Sequence, residues 1–172
     1  MKIVITGAES TGKSELAQQL ATHFQGLWIP ELARTYIEGL DRPYTYEDVE
    51  TIARLQIEDE QNRQFVRVPL FFDTWLIITK VWFDFRFGQH PEWLHQAIKN
   101  SNIDLFLLCD IDLPWQFDPV RENGGENRKK LHQIYIDELE YYGFDYRIVS
   151  GLGLHRFQNA SNYVQEMKLK ER

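Results

Sequence analysis

Gly7, Gly12, Lys13 and Ser14 stand at the spacing G-x-x-x-x-G-K-[ST] within Gly7-Ala8-Glu9-Ser10-Thr11-Gly12-Lys13-Ser14. The apolar run Ile3-Val4-Ile5 comes just before and a helical pattern just after, so the order is strand, glycine-rich loop, helix. Glycines at both ends let the backbone bend until several N–H groups point at one centre. The helix that starts there adds the positive end of its dipole. A group with several anionic oxygens fits such a loop, and the chemistry is that of a phosphate. Lys13 is spaced to reach the β- and γ-phosphates of ATP, and Ser14 offers a hydroxyl to Mg²⁺. All eight residues, Gly7, Ala8, Glu9, Ser10, Thr11, Gly12, Lys13 and Ser14, are therefore assigned to ATP binding.

Two carboxylates complete the candidate chemistry. Leu27-Trp28-Ile29 reads as a short strand stopped by Pro30, which leaves Glu31 at its carboxyl end with Arg34 one turn on. Pro69-Leu70-Phe71-Phe72 reads as a buried parallel strand ending in Asp73. Beside the loop strand, Asp73 would face Ser14 across Mg²⁺ or its water shell; Asp also caps helices well, and one position can serve both purposes. Glu31 is expected to orient or deprotonate an acceptor hydroxyl, with Asp73 as the alternative base. Arg34 is assigned to the acceptor or to its phosphorylated product.

Trp75, Trp82, Phe83, Phe85 and Phe87 crowd one helical segment. Trp75 and Trp82 are the candidates to stack on a flat ring, the others reading as core. Farther on, Asp118-Pro119-Val120-Arg121-Glu122-Asn123-Gly124-Gly125-Glu126-Asn127-Arg128 is polar, with paired glycines and an arginine near each end. The stretch from about 118 to 128 resembles a lid whose Arg121 and Arg128 close over a transferring phosphoryl group. The acidic run Glu58-Asp59-Glu60 reads instead as a solvated helix face.

The elements that must position these residues follow from periodicity. Leu16, Leu20, Ala21 and Phe24 mark a helix from Lys13 to about Phe24. Thr45-Tyr46-Glu47-Asp48 has the form of a capping box for a helix running towards Phe65. Helices are expected from Trp75 to Phe87, Glu92 to Asn100 and Lys129 to Tyr142, with a closing one through Phe157, Ala160, Val164 and Met167. Asp104 to Cys109 and Tyr146 to Val149 read as the fourth and fifth strands. Strands alternating with helices imply a three-layer α/β fold on a five-stranded parallel sheet. For Asp73 to reach the loop, the third strand must lie beside the first, giving the order 2-3-1-4-5 of an adenylate-kinase-like P-loop NTPase fold.

Length and composition bound the rest. A chain of 172 residues reads as a single domain over 1–172, large enough to bury its own core. A net charge of −7 leaves no general basic footprint, so neither nucleic acid nor an anionic membrane is expected as a partner, and a small anionic ligand must be held locally. The one cysteine, Cys109, ends an apolar run and reads as a buried thiol. Met1 leads straight into the first strand, and no apolar run is long enough to span a membrane; a cytoplasmic location is expected.

The phosphate loop, Glu31 with Arg34, Asp73-Thr74 with Thr79 and His90-Pro91, and Asp104 to Arg121 with Trp115 and Asp118 resemble a known family. It is the nicotinamide riboside kinase domain of the NadR-like enzymes, grouped with related small P-loop ATPases, and the similarity runs in order along nearly the whole chain. The resemblance implies Mg²⁺-dependent transfer of the ATP γ-phosphoryl group to a small nucleoside-like acceptor, nicotinamide riboside giving nicotinamide mononucleotide. No H-x-G-H motif occurs, so adenylyl transfer is not expected. Kinases of another nucleoside or of a nucleoside monophosphate use the same parts, and a nucleotide-sensing regulatory ATPase is the alternative of a different class. A GTPase is disfavoured, because neither N-K-x-D nor a D-x-x-G after the third strand is present.

Overall fold

Burial on both faces explains why the strands read as continuous apolar runs. In the computed structural model, which describes residues 1–116 and 125–170, Ile3, Val4 and Ile5 are all fully buried. Each such side chain contributes about 1.5–3 kcal/mol of burial. Strand β1 (Lys2–Thr6) splits them between two cores. Ile3 and Ile5 join Phe71, Leu105, Leu107 and Cys109 on one face, covered by helices α1 (Lys13–His23) and α7 (Leu154–Lys170). Val4 joins Phe72, Phe106 and Leu108 on the other. That face lies under α3 (Tyr46–Asn62), α4 (Leu76–Phe87), α5 (Glu92–Lys99) and α6 (Glu126–Tyr142).

The sheet is parallel in the order β2-β3-β1-β4-β5, with β2 at Leu27–Ile29, β3 at Leu70–Asp73, β4 at Leu105–Cys109 and β5 at Tyr146–Val149. Five strands in the anticipated order put β1 at the centre, and all carboxyl ends share one rim. Register pairs Ile5 with Asp73, so the end of β3 lies level with the start of the phosphate loop.

Two elements depart from the sequence reading. Helix α2 (Leu32–Glu38) was not anticipated; seven residues are too few to show a helical period. Helix α6 begins at Glu126, so residues 126–128 are its first turn and not the end of a lid loop. Arg121 and Asp118, with most of the anticipated lid, lie outside the described residues. The capping box at Thr45 is formed: Asp48 donates its N–H to the Thr45 hydroxyl at 3.4 Å, and its carboxylate accepts from the Thr45 N–H at 2.7 Å. Cys109 is fully buried, and burial pushes its thiol up to about 11. No helix among the described residues is long and apolar enough to cross a membrane.

Candidate functional site

The phosphate loop joins β1 to α1 through residues that only particular backbones allow. Gly7 has φ 130, and a Cβ there would stand 2.8 Å from the Cys109 carbonyl oxygen, so conformation and space both require glycine. Gly12, at φ 73, is the N-cap of α1, and no side chain caps that helix. The first N–H groups of α1 thus keep their donor capacity at the positive end of the helix dipole. Lys13 folds back so that its ammonium donates to the Ala8 carbonyl at 2.8 Å. An ammonium has three donors, so this bond leaves capacity for phosphate oxygens. The Thr11 hydroxyl donates to the same carbonyl at 2.8 Å and stiffens the loop.

A cavity of about 530 Å³ opens over the loop, large enough for a small nucleotide-sized ligand. Gly7 and Glu9 through Glu15 line it, with Glu31 and Arg34 from the start of α2. Ile78, Val81, Trp82, Phe85 and Arg86 come from α4, and Leu131 and Tyr135 from α6. Trp82 donates its indole N–H to the Tyr44 hydroxyl at 3.2 Å, and the two rings meet edge to face at 4.8 Å. Two residues before Tyr44, the Arg42 guanidinium holds Asp48 bidentately at 2.6 and 2.9 Å. That pair keeps the Asp48 carboxyl well below the usual carboxylate range. Lys80 spans from α4 to Glu138 on α6 at 2.7 Å, fixing the two helices that wall the cavity.

The anticipated residues divide. Lys13, Ser14, Glu31, Arg34 and Trp82 all line the cavity. Glu31 and Arg34 approach to 3.8 Å, and Arg34 also meets Glu38 at 3.3 Å. Trp75 corrects the expectation that it stacks on a ligand. Thr74 at φ 69 and Trp75 in extended backbone lead into α4, and the indole is buried in the core, outside the cavity lining. Arg128, expected in a lid over the phosphoryl group, stands outside the cavity lining. On the first turn of α6 it is buried, donating to the Leu113 carbonyl at 2.7 Å and the Ser10 carbonyl at 2.9 Å, and so grips the loop backbone. Tyr44 and Tyr135 were missed. Tyr135 is buried at the cavity wall, and burial, with Glu9 and Glu31 nearby, raises its phenol above the ordinary value.

Asp73 is 2% exposed, and its Oδ1 has no hydrogen-bond partner among the described residues. It is not used as the α4 N-cap, which is Trp75. Burial raises its carboxyl pKa, against the pull of the Ser14 hydroxyl, Lys13 and Arg34. A buried carboxylate oxygen without a partner, beside a hydroxyl, is a hard-oxygen donor set that fits Mg²⁺, which takes its other ligands from water and phosphates. A folded-state pKa above the unfolded one favours folding at low pH, and that contribution is lost as pH rises through the folded value. Asp73→Asn should therefore raise the melting temperature of the metal-free protein at neutral pH by about 2–4 °C, corresponding to roughly 1 kcal/mol. The gain should vanish in acid, where Asp73 is already protonated. A lower melting temperature at neutral pH would show that the carboxylate stabilises the loop.

A strand, a glycine-rich loop carrying Lys-Ser and a carboxylate ending the adjacent strand define a P-loop nucleotide-binding protein. The chain belongs to the family whose model is described as an AAA domain, which matches residues 2–156. It is 26% identical, over 99% of its length, to the trifunctional NAD biosynthesis/regulator protein NadR of Escherichia coli (strain K12). The Salmonella typhimurium NadR is likewise 26% identical over 96% of the chain. The chain spans 43% and 42% of those two relatives, less than half of either. Among solved structures, a NadR protein in complex with NAD and AMP-PNP superposes over 96% of this chain and 49% of its own, with TM-score 0.77 and 23% identity. A thymidylate kinase from Ehrlichia chaffeensis matches over 96% of this chain and 97% of its own, with TM-score 0.70 and 11% identity. The fold is that of P-loop nucleoside and nucleotide kinases.

Proposed function

We propose that this protein transfers the γ-phosphoryl group of ATP to the 5′-hydroxyl of a nucleoside-like acceptor, with nicotinamide riboside as the preferred one. The observation that carries the reading is a single cavity shared by the phosphate loop, Glu31 and an aromatic wall of Trp82 and Tyr44. Lys13 and the loop amides hold the triphosphate. Glu31 takes the acceptor's hydroxyl proton as the oxygen–phosphorus bond forms and the β,γ-bridging bond breaks, releasing ADP. Ser14 and Asp73 would hold Mg²⁺, which would supply charge neutralisation for the phosphates. Arg34 is suited to the phosphate of the product.

Nicotinamide riboside is favoured on two grounds. The chain is similar to NadR, and one NadR protein has been solved in complex with NR. Its pyridinium ring is cationic, and Trp82 and Tyr44 offer π faces while Glu9 and Glu31 supply negative charge. Trp82→Leu should raise the acceptor KM roughly threefold to thirtyfold and leave the ATP KM within about twofold. An unchanged acceptor KM would remove Trp82 from the ring site.

Two guanidiniums in one cavity, Arg34 and Arg86, support a second reading, in which the acceptor is a nucleoside monophosphate. Separate reactions with nicotinamide riboside, the ordinary nucleosides and their monophosphates, compared by kcat/KM, decide between them. The highest value for nicotinamide riboside is expected. Phosphorylation of a monophosphate but not of nicotinamide riboside would establish the second reading.

A further inference from the structure

Ser10, in the middle of the phosphate loop, has φ 57 and is not a glycine. A left-handed backbone at such a residue persists only where its surroundings hold it. Contacts from two distant segments converge there. Arg128 on α6 bridges two carbonyl oxygens, those of Ser10 at 2.9 Å and Leu113 at 2.7 Å. The Ser10 hydroxyl donates to the Gln116 carbonyl and accepts from the Gln116 N–H, both at 3.1 Å. Leu113 presses on the same loop, with a methyl carbon 3.1 Å from where a Cβ on Gly12 would lie.

The direction of these bonds matters. In a trans peptide the C=O of one residue and the N–H of the next point opposite ways. Ser10 and Thr11 both line the cavity and Arg128 does not, and tying the Ser10 carbonyl to Arg128 turns the Thr11 N–H away from the guanidinium. We propose that Arg128 is a positioning residue for nucleotide phosphates: by bridging the Ser10 and Leu113 carbonyls it holds the left-handed turn that aims the loop amides at the ligand, and it makes no phosphate contact of its own. A planar guanidinium spans two carbonyls in a way that a single ammonium does not. The inference rests on the reading of Gly7 to Ser14 as the ATP phosphate site. It differs from the role expected of a lid arginine, which acts on the transferring group in the transition state.

Titration calorimetry with ADP and with AMP-PNP, without turnover, separates the two roles. Arg128→Ala should weaken both ligands by a similar factor, roughly tenfold to a hundredfold, because the loop cradles phosphates common to both. Arg128→Lys keeps the charge and most of the bulk, guarding against simple misfolding, and should also weaken both. Adding Ser10→Gly to either variant should recover about threefold to tenfold in affinity, since glycine enters the left-handed region without the Cβ penalty. In turnover, the ATP KM should rise more than kcat falls. Unchanged ADP and AMP-PNP affinity with a lowered kcat would overturn the proposal in favour of a transition-state contact. Weakened binding that Ser10→Gly fails to restore would overturn it in favour of general support of the fold. A parent protein that binds neither ligand would refute the phosphate-site reading itself, and the brace with it.

Discussion

Lys13→Ala should lower kcat by about a hundredfold or more while the protein remains folded. The ammonium lines the cavity and makes one loop contact, to the Ala8 carbonyl at 2.8 Å, so the core keeps its packing when it is removed. At the transferring phosphate, a charge-assisted contact contributes about 3 kcal/mol or more to the transition state, which sets the size of the effect. Initial rates at saturating ATP and acceptor, with circular dichroism of the same sample, make the check. A folded variant turning over near the parent rate would remove Lys13 from catalysis.

Glu31→Gln should lower kcat by about a hundredfold to ten-thousandfold, the range for loss of a general base, and leave AMP-PNP affinity unchanged. The choice of Glu31 over Asp73 comes from placement. Glu31 lines the cavity at the α2 N-terminus, whereas Asp73 lies beneath the loop, 2% exposed and facing Ser14. The variant also takes the charge from the partner that Arg34 meets at 3.8 Å, so a rise in acceptor KM should accompany the fall in kcat. Transfer at the parent rate would move the base role to Asp73 or to no residue.

The parts of the site that were legible in the chain are those encoded locally. The phosphate loop is a run of eight residues between a strand and a helix, and Asp73 ends an apolar run. The strand order then followed from the need to bring that carboxylate beside the loop. Choosing between Trp75 and Trp82 required knowing that Trp75 stands in extended backbone ahead of α4, and the helix itself is apolar around most of its circumference, from Leu76, Ile77 and Ile78 to Val81, Phe83 and Phe85. Periodicity names no cavity face in such a helix. Tyr135 is one of three tyrosines on α6, with Tyr141 and Tyr142, and local pattern does not separate them. Arg128 carried the right charge for a phosphate site. Its partner Ser10 is 118 positions away, a contact that only the folded chain reveals.

Phosphorus NMR of one reaction mixture follows transfer of the phosphoryl group from ATP to an acceptor. The protein is incubated with ATP, Mg²⁺ and nicotinamide riboside while the spectra are followed. The γ-phosphate signal should decline as a phosphomonoester signal, split by the 5′-methylene protons, grows in equal amount. ADP should accumulate in the same proportion, with inorganic phosphate a minor product. Loss of the γ-phosphate into inorganic phosphate alone, with nicotinamide riboside and with every other nucleoside or monophosphate offered, would rule out phosphoryl transfer to an acceptor and leave an ATPase.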